Sequence, residues 1–80
     1  MAEIVFGGMP AWLLEEYLVE LGGSRAADGT VEGDGWLATL ESWRSNTSGV
    51  AIARVTVTIE GDRAAMMLAA LRKKAQRGGG

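Results

Sequence analysis

The stretch "VAIARVTVTIEGDRAAMMLAALRKKAQR", Val50 to Arg77, changes its hydrophobic period halfway along. Val55, Val57 and Ile59 alternate with Arg54, Thr56, Thr58 and Glu60, the two-residue period of a strand with one buried and one wet face. After Gly61 the apolar positions follow helical spacing instead: Ala64, Met67, Leu68, Leu71 and Ala75 share one stripe,. Asp62 is the expected N-cap of that helix. Arg72, Lys73, Lys74 and Arg77 crowd its last turns, where cations complement the negative end of the macrodipole. A half-wet strand followed at once by a one-sided helix predicts a sheet with helix packed on one face. Val50 and Ile52 fall on the opposite parity from Val55, so a bulge or bend is expected near Ala53 and Arg54.

Toward the N-terminus the punctuation is that of hairpins. Turn residues stand at Asp28-Gly29, at Gly33 to Gly35 and at Ser45 to Gly49, and they bound strands over Thr30 to Glu32 and Trp36 to Trp43. Upstream, "PAWLLEEYLVELGG" places Leu14, Tyr17, Leu18 and Leu21 on one stripe, with Glu15, Glu16 and Glu20 largely off it,. Pro10 suits the first turn of this helix and Gly22 its left-handed end. "EIVF", Glu3 to Phe6, is β-prone and stopped by Gly7-Gly8,. The expected order is therefore strand, helix, strands, helix. An α+β domain follows, an antiparallel sheet of four to five strands with two helices on one face. It spans residues 1–77 as a single domain, and 78–80 is expected to be a flexible glycine tail.

The composition excludes several chemistries. Among eighty residues there is no Cys and no His. Disulfides, thiolate nucleophiles and Cys-type zinc sites are thereby ruled out, as are the usual general base near neutral pH and the Ser-His-Asp relay. Five of the ten carboxylates, Asp28, Glu32, Asp34, Glu60 and Asp62, lie beside glycines at turns, where short acidic side chains bond the local backbone. No catalytic, metal or cofactor site is expected. The N-terminus lacks the charge order of a secretory signal and no apolar run is long enough to span a bilayer, so the expected place is the cytoplasm.

The net charge of −2 conceals a division: Arg25, Arg44 and Arg54 against all ten acids leave residues 1–62 at −7, whereas residues 63–80 carry five cations and no acid. The cluster Arg72, Lys73, Lys74 and Arg77 is a candidate contact for a polyanion. A surface that is otherwise acidic makes nucleic acid an unfavoured partner. Trp12, at the edge of the first helix's stripe, and Met66, beyond the stripe of the last, are candidate contacts for a protein partner. Trp36 and Trp43 fit either core or interface. Gly79-Gly80 could thread a narrow channel and present a carboxylate for adenylation, since glycine has no side chain to obstruct the approach.

"FGGMPAWLLEEYLVELGG", "RVTVTIEGD" and the closing "RGGG" together resemble the C-terminal domain of MoaD-related proteins, a small family of unknown function. The likeness covers nearly the whole chain and is strongest at Phe6, Gly8, Pro10, Trp12 to Glu15, Tyr17, Leu18, Gly22-Gly23, Arg25, Gly61 and Arg77 to Gly80. In such proteins this domain follows a ubiquitin-like molybdopterin-synthase small subunit, which is not expected in the present chain. The resemblance implies a TATA-binding-protein-like α+β fold. It implies no catalytic residue, because the cofactor chemistry belongs to the carrier domain.

The reading that results is a non-enzymatic accessory or protein-interaction domain linked to molybdopterin or sulfur-carrier pathways. Two alternatives stand beside it: a conjugation or sulfur-acceptor protein acting through Gly79-Gly80, and a polyanion-binding module using the basic end of the last helix. A protein partner is expected, and a homodimer mediated by the last helix or a sheet edge. No membrane partner or small-molecule substrate is expected.

Overall fold

A computed structural model describes residues 1–27 and 29–78, with the backbone alone for Thr47 and Arg77; Asp28, Gly79 and Gly80 lie outside the described residues. The elements run β1 (Ala2–Gly7), α1 (Ala11–Glu20), β2 (Ser24–Ala27), β3 (Thr30–Gly33), β4 (Trp36–Thr47), β5 (Val50–Glu60) and α2 (Ala64–Gly78). The five strands form one antiparallel sheet in the order β1-β5-β4-β3-β2. This is the expected α+β class and element order. Because β1 and β2 occupy opposite edges, α1 must cross the sheet to join them, and this crossing lays its apolar stripe over β2, β3 and β4.

The end of α1 shows how local chemistry fixes the chain path. The Gly22 N–H donates to the Val19 carbonyl and the Gly23 N–H to the Leu18 carbonyl, both at 3.0 Å. With Gly22 at φ 109°, this is a Schellman motif whose left-handed position only glycine occupies without strain. Pro10 stands at the cap itself, in extended conformation, one residue before the first helical turn in which it was expected. Asp62 is not the cap of α2. The Met67 N–H bonds the Arg63 carbonyl at 2.9 Å, so the first intrahelical acceptor is Arg63, and Asp62 belongs to the turn that precedes it.

Pairing of β4 with β5 runs without a break from Leu37↔Glu60 to Thr47↔Val50. The bulge expected near Ala53 and Arg54 is therefore absent. The parity change has another cause: beyond β1's last pair, Gly7↔Arg54, β5 leaves the body of the sheet. There is then no core face for Val50 and Ile52 to follow, and both project from the face opposite the helices, exposed to solvent. A two-residue turn closes this hairpin with φ 54° at Ser48 and 80° at Gly49, the signature of a type I′ turn, whose twist matches that of the strands. Four ladder pairs, Arg44↔Ala53 to Thr47↔Val50, form an arm of roughly 15 Å beyond the body. The arm lengthens the molecule to 42 Å against 25 and 19 Å in the other directions.

The core lies between the helices and one sheet face. Leu14 and Leu18 of α1, Leu71 of α2, and Val31, Ala38, Val57 and Ile59 of the sheet are fully buried, each at 0% exposure. The stripes expected on both helices are the faces that pack. Trp36 is also buried, and two bare glycines border its ring: a Cβ on Gly23 would fall 2.6 Å from Trp36 Cη2, and one on Gly33 would overlap the indole. Glycine is needed at both places for close approach rather than for backbone freedom.

Candidate functional site

Strand β1 turns Ile4 and Phe6 toward α2, since they pair with Val57 and Val55 on the helix-covered face. The connection to α1 adds Met9, and α2 contributes Arg72, Ala75 and Gln76. These six residues line an open groove of about 210 Å³ between the edge strand and the C-terminal half of α2. Phe6, Ile4, Met9 and Ala75 give it an apolar floor, and Arg72 sets a permanent cation at the rim. Its lining offers apolar contact together with a guanidinium of the kind that pairs with carboxylates.

The expected basic cluster does not act as one unit. Lys74 Nζ stands 2.7 Å from Glu20 Oε1 and 5.7 Å from the centre of the Tyr17 ring, so it ties α2 to α1 by an ion pair and a cation–π contact. Arg72 and Lys73 remain exposed. Arg77 lies on the last turn of α2, but its side chain lies outside the described residues, as do Gly79 and Gly80. The division of Lys74 from its neighbours could not be read from helical spacing alone, because its partner Glu20 comes from another element. Lys74→Ala is expected to lower stability by no more than about 1 kcal/mol, the range for exposed pairs. Urea titrations at low and high salt test this, and the loss should shrink as salt screens the pair.

Of the three tryptophans, Trp36 is core. Trp12 is 61% exposed on the first turn of α1, and Met66 is 55% exposed on the outer face of α2. Neither lines the groove. Trp43 is 40% exposed on the helix-free sheet face, where its Nε1–H donates to Thr56 Oγ1 at 2.8 Å. Sequence reasoning did not find the groove residues Ile4, Phe6 and Met9, which look like ordinary core positions along the chain.

A second, larger depression of about 490 Å³ is lined by Glu15, Arg25, Ala26, Ala27 and Gly29. Within it Arg25 Nε and Glu15 Oε1 neutralise each other at 3.4 Å. Among the described residues no three acids gather as a metal-ligand set, and no helix is long and apolar enough to cross a membrane. Residues 2–80 match the family model described as archaeal MoaD-like protein. The chain belongs to that family. No curated protein matches it.

Proposed function

We propose, with membership of the archaeal MoaD-like family as the premise, that this chain is a non-enzymatic cytoplasmic domain that binds a protein of molybdopterin synthesis or sulfur-carrier traffic. The groove between β1 and α2 is its docking site. The carrying observation is the pairing of an apolar floor, Ile4, Phe6 and Met9, with the cation Arg72 at the rim. An extended C-terminal segment of a ubiquitin-like carrier has the matching chemistry: apolar side chains, then a narrow glycine end bearing a carboxylate, which a guanidinium holds by two parallel hydrogen bonds. The absence of His and Cys from the sequence favours recognition over catalysis.

Calorimetric titration of the purified chain with a ubiquitin-like sulfur carrier, intact and lacking its last two glycines, tests the reading. Binding is expected for the intact carrier and at least a tenfold loss for the truncated one or for Arg72→Glu. Equal affinity of all three combinations, or no heat at high micromolar concentration, would overturn it. Incubation of the chain with a carrier-activating enzyme and ATP separates the alternative role of Gly79-Gly80, which predicts a covalent or adenylated product on this chain.

A further inference from the structure

The sheet face opposite the helices is an unclaimed surface with a particular distribution of groups. By the ladder register, Glu3 and Val5 of β1, Thr56, Arg54, Ile52 and Val50 of β5, and Thr39, Glu41 and Trp43 of β4 all point to it. Val5, Trp43, Val50 and Ile52 are all exposed there. Their apolar area continues through the methyl-bearing threonines between them. Hydrogen bonds within the face fix two of its polar groups, Trp43 to Thr56 at 2.8 Å and Thr58 to Glu3 at 3.3 Å, so the surface is pre-ordered rather than loose.

Charge on this face divides along its length. Arg54 stands at the base of the arm with its guanidinium against Gly7, where a Cβ would come within 3.1 Å of Nη1. The acids Glu3, Glu41 and Glu60 stand toward the other end. We infer that the face binds a second copy of the same chain. The two sheets stack antiparallel about a two-fold axis running across the strands at Val55, with Trp43, Arg54 and Thr56 at the centre of the interface. The charge pattern selects that orientation: antiparallel stacking about Val55 sets each Arg54 beside the partner's Glu41, whereas a parallel stack brings like charge to like charge. Isologous pairing uses one patch twice and closes without further growth.

β4 and β5 with eleven paired residues each and β1 with six, about 4.8 Å apart at about 3.4 Å per residue, give a strip of roughly 450 Å², below the about 800 Å² per partner of a standard interface, so a weak, concentration-dependent dimer is expected. A small domain also has burial to gain from it. This moves the expected dimer contact from the last helix or a sheet edge to the open sheet face.

Sedimentation equilibrium from low to high micromolar concentration in moderate salt provides the test. The native chain should be dimeric at the upper end. Arg54→Glu and Trp43→Ser should each shift dissociation upward by at least tenfold in concentration, with unchanged circular dichroism melts at low concentration to show that the monomer still folds. Arg54→Glu combined with Glu41→Arg should restore association. Met66→Glu, on the outer face of α2, should have no effect. A monomer throughout the range overturns the inference. So does a dimer that ignores Arg54→Glu and Trp43→Ser, or one that Met66→Glu dissolves.

Discussion

Trp36→Ala is expected to destabilise the domain by about 3–5 kcal/mol, the range for removal of a buried large aromatic side chain. At about 0.05–0.15 kcal/mol per residue a chain of this length has only about 4–12 kcal/mol in total, so the variant loses a large share of it. The reason lies in how the ring is seated. Trp36 is 6% exposed, and its indole lies against Gly33, its ladder partner, and against Gly23 at the end of the Schellman motif. Two elements thus give up their side chains to make room for one. Alanine at position 36 leaves a void that neither glycine can fill, and the backbone around it is held by β3 pairing and by the Gly23 N–H to Leu18 carbonyl bond. Urea titration followed by far-ultraviolet dichroism measures the loss. Gly33→Ala should also destabilise, by expelling the ring from its seat. An unfolding free energy for Trp36→Ala within about 0.5 kcal/mol of the native value would show that this seat is not part of the core.

Strong periodicity made most of the fold legible. Val55, Val57 and Ile59 point inward and Leu14, Leu18, Met67 and Leu71 meet them, because each repeats at the spacing of its element. Turns were legible for a related reason: Gly22, Gly35 and Gly49 occupy positive φ, and glycine marks such positions in sequence. Strand β2 was not legible. Its four residues, "SRAA", are all exposed and lack β-branched side chains, so propensity is silent. The segment is a strand because β3 offers it a ladder and Glu15 holds Arg25. The arm failed differently. Its residues Val50 and Ile52 carry a clear two-residue period, and only the register with β4 shows that no core lies beneath them. The groove was hidden for a third reason, since it is assembled from two segments far apart in the chain, residues 4–9 and 72–76. Arg72 was singled out for its charge, but its neighbours Ile4, Phe6 and Met9 carry no mark beyond hydrophobicity.

Leu18→Ala tests the packing of α1 against the sheet. Leu18 is 0% exposed, in the cluster that joins both helices to the strands, and deletion of a buried leucine costs about 2–5 kcal/mol according to how far the site can collapse. Collapse should be limited here. The Schellman bonds hold the C-terminus of α1 at Gly22 and Gly23, and the Lys74–Glu20 pair fixes its distance from α2. The Leu18 carbonyl that receives the Gly23 N–H is backbone and survives the substitution, so the measured loss reports packing rather than the cap. Alanine is also the better helix former, which removes helix propensity as a source of destabilisation. Trp12→Ala on the same helix supplies the contrast. Trp12 is mostly exposed, and its replacement should change stability by no more than about 0.5 kcal/mol despite deleting the larger side chain. Equal losses from the two variants in parallel urea titrations, or a larger loss from Trp12→Ala, would mean that α1 presents a different face to the sheet.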